Sequence, residues 1–122
     1  MGFDALAEHL GIELLEVRPG YARAVLKVTE TLLNGAGVTH GGAIFSLADI
    51  VFAAASNSHG PLALALNVSI NFLKTTREGA TLTATATEDN LTRKTGLYRM
   101  EVRDENENVV AVAEGLVYRI SD

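Results

Sequence analysis

The periodicity of apolar and polar positions changes several times along this chain of 122 residues. Gly2 to Leu10 places Phe3, Leu6, Ala7 and Leu10 on one face of a short helix, and Gly11 is well placed to end it. Ile12 to Arg18 is strand-like, Pro19-Gly20 is a turn signal, and Tyr21 to Thr29 alternates. In that run Ala22, Ala24, Leu26 and Val28 point one way and Arg23 and Lys27 the other, so the pair reads as a hairpin. The loop TLLNGAGVT follows, with Gly35 and Gly37 arguing against regular structure. From His40 to Asn57 the period becomes that of a helix: Ile44, Leu47, Ala48, Val51 and Ala55 recur on one stripe and no proline intervenes. Ser58-His59-Gly60-Pro61 ends it.

The second half returns to a period of two. Leu62, Leu64, Leu66, Val68, Ile70 and Phe72 alternate with Ala63, Ala65, Asn67, Ser69 and Asn71. Ala80 to Thr87 alternates apolar residues with threonine, and Thr95 to Arg103 puts Tyr98, Met100 and Val102 on one side. Asp104 to Asn108 is a polar turn, and Val109 to Ile120 is the last strand. Neither a linker nor a repeat interrupts the chain. The expectation is one α+β domain over residues 1–122, with an antiparallel sheet on one side of a long buried helix and a short N-terminal helix.

That long helix is apolar almost all the way round, and its only ionisable residue between Gly41 and Ser58 is Asp49. At about 100° per residue, Asp49 groups with Gly42, Phe45, Ser46, Phe52 and Ser56, away from the Ile44/Leu47/Val51 stripe. A small domain seldom covers both sides of one helix, so a partner subunit is a candidate for the second side. A carboxylate in such a place needs partners or a task. It either takes part in chemistry, or hydrogen-bonds Ser46 or a backbone group, or reaches water at a rim. Gly41 and Gly42 at the helix start let the backbone turn sharply and leave the first N–H groups open to a ligand.

Composition narrows the field further. A net charge of −5 argues against broad binding to nucleic acid or anionic membranes. The absence of cysteine excludes disulfides, thiolate catalysis and cysteine-based zinc sites. The three histidines His9, His40 and His59 show no ligand spacing, so no metal site is expected; His9 and His59 have no visible partner and read as surface residues. The one long apolar segment carries Asp49 and several serines and makes a poor membrane span. With no leader or lipid-anchor signal at the start, a cytoplasmic location is expected.

The layout, with the residues Asn34, Gly35, His40, Gly41, Gly42, Leu47, Ala48 and Asp49 in the spacing N-G-x4-H-G-G-x4-L-A-D, resembles the hotdog-fold acyl-CoA thioesterases of the phenylacetic-acid-degradation (PaaI-like) type, within the 4-hydroxybenzoyl-CoA thioesterase superfamily. The resemblance runs over essentially the whole chain, including Asn90 to Thr95. It implies hydrolysis of an aryl- or medium-chain acyl-CoA without a cofactor. Asp49 then matches the helix carboxylate that serves as nucleophile or general base, and Gly41 the glycine whose backbone N–H polarises the thioester carbonyl. Asn34 matches the loop amide that places water or the reacting group, and His40 a second polar residue near the thioester. It also implies a homodimer pairing into a homotetramer, with helices side by side and the site between subunits.

Gly41 and Asp49 lie about 12 Å apart along the helix axis, too far to serve one carbonyl from the same chain, which agrees with a shared site. For the coenzyme A part, Gly42, Arg93 and Lys94 are the candidate contacts, with Arg77 behind them; an ordinary solvated strand end is the alternative for the Arg93-Lys94 pair. Asn67, Ser69 and Asn71 either line the pantetheine path or face water, and Phe45, Phe52 and Leu33 are candidates to shape the acyl pocket. Two other functions share the fold: a non-hydrolytic acyl-CoA-binding or regulatory module, and a hydratase or dehydratase using Asp49 and His40.

Overall fold

The computed structural model describes residues 4–120. Its elements in chain order are helix α1 (Ala5–Leu10), strands β1 (Ile12–Arg18) and β2 (Tyr21–Lys27), helix α2 (Gly41–Ser56), and strands β3 (Ala63–Phe72), β4 (Thr81–Leu91), β5 (Thr95–Arg103) and β6 (Val109–Arg119). The strands form one antiparallel sheet in the order β1-β2-β4-β5-β6-β3, and α2 lies across one face. This is the α+β hotdog arrangement expected from the sequence.

Local chemistry sets the boundaries. Asp4 caps α1 by accepting from the Ala7 N–H at 3.0 Å, and Gly11 ends it in the left-handed region at φ 82°. Phe3, expected on the face of this helix, lies outside the described residues. Between β2 and α2 the glycine loop is more ordered than expected: Glu30–Leu32 makes one 3-10 turn, and Leu33 bridges Thr39. At the far end of α2, Asn57 donates to the Ala53 and Ala63 carbonyls and accepts from the Ala63 N–H at 3.0 Å, tying the helix to the start of β3.

The core is built for close approach. The inner face of the sheet presents Ala22 opposite Ala86, Ala24 opposite Ala84 and Leu26 opposite Leu82, all fully buried. Tyr98, Met100 and Val102 continue it on β5, as the alternation predicts. Small side chains let α2 seat its Ile44/Leu47/Val51 stripe deeply. The seat is tightest at Gly115 of β6, where a Cβ would stand 2.6 Å from Phe52 Cζ. Phe52 also packs edge-on against Tyr98 at 5.9 Å.

Two expectations need correction. Helical angle groups Phe52 and Ser56 with Asp49, yet both are fully buried against the sheet, because the sheet curls far enough around α2 to cover that flank. Phe52 is therefore a core residue and not a pocket wall in this chain. The strict alternation from Leu62 to Phe72 also breaks. A bulge between Ala65 and Asn67 shifts the register, so Ala63 faces the core before it and Val68 and Ile70 after it. Leu62, just before β3, and Leu64 and Leu66 on this edge strand are left exposed.

His59, read as an unpartnered surface residue, is half-buried and bonded. Its Nε2 lies 2.7 Å from Glu88 Oε1, which also accepts from the Tyr98 hydroxyl at 2.7 Å. The neighbouring Ser58 hydroxyl accepts from the Gly20 N–H at 2.8 Å. These bonds fasten the loop after α2 to the sheet and to the β1–β2 turn. Burial alone raises the Glu88 carboxyl pKa, but the bonds from Tyr98 and His59 outweigh it and leave the value lowered.

Gly115→Ala is expected to lower unfolding free energy by about 1–3 kcal/mol, read from the urea midpoint. Glu88→Ala strands the Tyr98 hydroxyl and is expected to cost about 1–3 kcal/mol at neutral pH. Because folding lowers the Glu88 pKa, its charged form contributes fully above the ordinary value of 4.5 and is lost as pH falls through the folded value. The deficit of Glu88→Ala should therefore shrink in urea titrations at progressively lower pH.

Candidate active site

The start of α2 has an unusual hydrogen-bond account. A helix begins with N–H groups that lack intrahelical acceptors. Here His40, the N-cap residue, donates its own N–H to the Leu32 carbonyl at 2.8 Å. The Gly42 N–H donates to His40 Nδ1 at 2.8 Å, and the Ala43 N–H donates to the His40 carbonyl at 3.0 Å. The Gly41 N–H has no acceptor among the described residues. Since Nδ1 accepts, the ring proton of His40 sits on the exposed Nε2. His40 thus caps the helix and still presents a donor outward. The Gly42 N–H, in contrast, is occupied by that cap. Thr39 anchors this end to the β3–β4 loop, with its hydroxyl 2.7 Å from that of Thr76 and its N–H donating to the Thr76 carbonyl.

Asp49 lies two turns further on, half-buried on the strip of α2 that the sheet leaves uncovered, beside Phe45, Ser46 and Ala53. Its carboxylate has no hydrogen-bond donor among the described residues. The nearby Ser46 hydroxyl donates to the Gly42 carbonyl at 2.7 Å instead, so it does not satisfy the acid. Burial raises the Asp49 pKa above its ordinary value, and the charge of Asp4 at the head of α1 adds to the rise. An unpartnered, partly desolvated carboxylate of this kind suits a base or nucleophile better than a structural acid.

The remaining sequence candidates are distributed as follows. Asn34 is exposed, and its Oδ1 holds the loop by accepting from the N–H groups of Ala36 (2.9 Å) and Val38 (3.3 Å). Its amino group makes no bond among the described residues. Leu33 lines a cleft beside the start of α2, as does Gly42. Arg93 and Lys94 sit in the β4–β5 turn, where Lys94 approaches the Tyr118 ring at 5.7 Å. Gly41 lies against Phe72, which pairs with Ala111, whereas Thr95 pairs with Tyr118. Seven residues along β6 at about 3.3 Å each separate the two places by roughly 23 Å. One chain therefore does not bring Arg93 and Lys94 to its own Gly41. Asn67, Ser69 and Asn71 lie on the exposed outer side of β3. Among the described residues, no cluster of three or more His, Asp or Glu side chains is placed to hold a metal, and no helix is long and apolar enough to cross a membrane.

Sequence reasoning missed the His59–Glu88–Tyr98 network, whose members stand 29 and 10 residues from Glu88 and share no local pattern. It also missed that Nδ1 of His40 would be spent on the cap, although a histidine directly before two glycines at a helix start was the available sign.

Known proteins resemble this chain over nearly its whole length. The thioesterase superfamily profile matches residues 36–111. The acyl-coenzyme A thioesterase PaaI of Escherichia coli is 41% identical over 117 residues, covering 96% of this chain and 84% of that protein. Its solved structure, described as the PaaI protein from the phenylacetic acid degradation operon, superposes with a TM-score of 0.94 over 97% of this chain and 86% of its own. The TT0310 protein of Thermus thermophilus reaches a TM-score of 0.94 at 39% identity, over 98% of this chain and all of its own (100%). The smu.793 protein of Streptococcus mutans, solved bound to acetyl CoA, reaches 0.87 at 28% identity, over 91% of this chain and 90% of its own. The fold, the residues at the start of α2 and these likenesses converge: the chain belongs to the thioesterase superfamily, as a PaaI-like hotdog thioester hydrolase.

Proposed function

We propose that this protein hydrolyses acyl-CoA thioesters at sites shared between two copies of the chain. The observation that carries the reading is the pair of unsatisfied groups on α2: the Gly41 N–H without an acceptor and the Asp49 carboxylate without a donor. Thioester hydrolysis asks for both, a donor aimed at the oxygen that becomes negative and a group that delivers the nucleophile. Their separation of about 12 Å on one helix calls for Gly41 of one copy and Asp49 of the other. The exposed leucines of the β3 edge and the uncovered strip of α2 offer a surface on which a second copy fits. The E. coli relative is named an acyl-coenzyme A thioesterase, and the S. mutans structure holds acetyl CoA; both support the substrate class.

In this mechanism the Gly41 N–H, at the positive end of α2, receives the thioester carbonyl oxygen. Asp49 delivers the nucleophile to the carbonyl carbon, either its own oxygen or a water it deprotonates. The tetrahedral oxyanion is held by Gly41 and collapses with cleavage of the C–S bond, releasing the thiolate of coenzyme A; where Asp49 itself attacks, water then hydrolyses the acyl–Asp49 anhydride to the free acid, and where water attacks, Asp49 passes the proton it took to the thiolate or to solvent. The free Asn34 amino group and His40 Nε2 are the donors left to orient water or the acyl oxygen. The placement of the site within one cytoplasmic domain that pairs again into a tetramer belongs to the same proposal.

The decisive experiment exploits backbone chemistry. Gly41 is the first helical residue and His40 before it is extended, at φ −61° and ψ 133°, so proline is compatible at position 41. Gly41→Pro deletes the N–H and is expected to lower kcat by about 10²–10³-fold with little change in stability. Asp49→Ala should cost at least about a hundredfold. Mixed after unfolding and refolding, the two inactive variants should regain activity, because half of the sites in a mixed dimer are intact. Absence of rescue would refute sharing. Acyl-CoA binding without turnover in the wild type would favour the binding module, and hydration of an enoyl-CoA would favour the hydratase. Activity needs the Asp49 carboxylate charged, so kcat/KM should fall on the acid side of its raised pKa. Asp4→Asn, which keeps the α1 cap, should move that limb to lower pH.

A further inference from the structure

We infer that Asn34-Gly35 is a site of spontaneous covalent modification, where the chain converts its own asparagine to isoaspartate or aspartate and so sets a negative charge beside the start of α2. The chemistry needs no partner but water. The Gly35 backbone nitrogen attacks the side-chain carbonyl carbon Cγ of Asn34, and a C–N bond forms. The tetrahedral intermediate expels Nδ2, which leaves as ammonia with the proton that Gly35 gave up, and a five-membered succinimide remains. Water then opens the ring at either carbonyl, to aspartate or to isoaspartate. The sum is exchange of NH2 for OH with release of one ammonia.

Nucleophile, carbonyl and leaving group are all accessible. Gly35 is exposed, and nothing lies within 4 Å of where its Cβ would stand, so the approach to its nitrogen is open. Its N–H has no acceptor among the described residues, and the Asn34 amino group makes no bond there either. The Oδ1 of Asn34, in contrast, already accepts from the N–H groups of Ala36 at 2.9 Å and Val38 at 3.3 Å. Charge develops on that oxygen when Cγ becomes tetrahedral, so the turn holds two donors on the developing oxyanion. The bonds that close the turn, Asn34 N–H to the Val38 carbonyl at 2.8 Å and Gly37 N–H to the Asn34 carbonyl at 3.0 Å, restrain the rotation that brings Cγ to the Gly35 nitrogen. An exposed loop opens locally at low cost, and the two donors offset what the restraint withholds.

No other asparagine offers this combination. Asn34 is the only one of the seven followed by glycine. Asn57, followed by the small Ser58, is the nearest competitor, and each of its reacting groups is engaged. Its amino group donates to the Ala53 carbonyl at 2.9 Å and the Ala63 carbonyl at 3.2 Å, and the Ser58 N–H donates to the Ala55 carbonyl at 3.2 Å.

The two products differ in what they disturb. Aspartate keeps the Oδ1 acceptor of the turn but replaces the amino donor by charge. Isoaspartate also lengthens the main chain by one carbon inside the turn. The loop carrying either product is fastened to the start of α2, because Leu33 bridges Thr39 and the Leu32 carbonyl accepts the His40 N–H. A carboxylate there repels the oxyanion assigned to the Gly41 N–H, and turnover falls. That consequence rests on the proposed role of Asn34 as a donor near the thioester; the modification itself does not.

The test ages the purified protein in mildly alkaline buffer for several weeks, beside Gly35→Ala and a capped unstructured peptide of residues 30–38. Peptide mapping by mass spectrometry follows the gain of about 1 Da at each asparagine, and acyl-CoA turnover is measured on the same samples. Asn34 should convert well before Asn57, at a rate within about 10-fold of the peptide's. Alanine at position 35 has space and no positive φ to adopt, and it should slow conversion by about 10-fold or more by restricting the backbone. Conversion of another asparagine first, a native rate further below the peptide's, or undiminished conversion in Gly35→Ala would overturn the inference. Turnover should decline in step with the modified fraction, and fresh Asn34→Asp should show the same loss. Conversion without loss of turnover would uphold the modification site and refute the donor role of Asn34. If the wild type hydrolyses no acyl-CoA, the mass readout decides the modification alone.

Discussion

Burial of α2 sets the terms for everything else in this molecule. Ten of its sixteen residues are buried, and a helix of ordinary width can be covered that completely by one sheet only if the sheet curls and both surfaces are small. Alanines from β2 and β4 stack opposite one another under the helix, and Gly115 leaves the space that Phe52 fills. Larger residues at those positions would lift α2 away and lose the dispersion contacts that a close-packed interior depends on. The tyrosine, methionine and valine of β5 then fill what the alanines leave.

The same packing determines what remains open. A sheet that wraps α2 as far as Phe52 and Ser56 leaves a narrow strip with Gly42, Ser46, Asp49 and Ala53, together with the helix start. A lone carboxylate on such a strip is tolerable because one side still reaches water, and its pKa rises only as far as partial burial and the neighbouring Asp4 push it. A helix dipole cannot bring its positive end to a residue two turns away on the same rod. The geometry of a single helix thus separates the two groups that the proposed chemistry needs together, and under that proposal a second helix running the other way is the simplest means of joining them.

Much of this was legible in the sequence. The helix, the β2 alternation and the run Tyr98/Met100/Val102 follow from periodicity, because burial on one face enforces it. Asp49 was visible as the only charge on an apolar helix. What escaped notice depended on contacts that periodicity does not encode. The bulge between Ala65 and Asn67 arises from pairing with β6, so the exposed leucines of β3 could not be told from inward ones. Phe52 was misplaced because helical angle alone does not say how far the sheet wraps. Glu88 gathers His59 and Tyr98 from two other segments. The Arg93-Lys94 turn looked close to the motif in chemistry but stands at the other end of β6.

At His40, Gly41 and Gly42 the helix start is settled at the level of single hydrogen atoms. A helix start exposes several donors, and leaving them all unsatisfied in a partly buried place costs roughly 1–3 kcal/mol each. Satisfying them all would leave a stable helix with nothing to offer a substrate. Here the His40 N–H goes to Leu32, the Gly42 N–H to the imidazole and the Ala43 N–H to the His40 carbonyl. Only the Gly41 N–H is spared. A serine would cap equally well and keep its O–H as a donor, but on a side chain too short to reach as far outward as an imidazole Nε2, and aspartate would cap with no donor left and set a negative charge beside the oxyanion of the proposed mechanism. A neutral imidazole caps the helix with one nitrogen, keeps a proton on the other and adds no charge. The absence of a side chain at Gly41, beside the Phe72 ring, keeps the approach to that one N–H open.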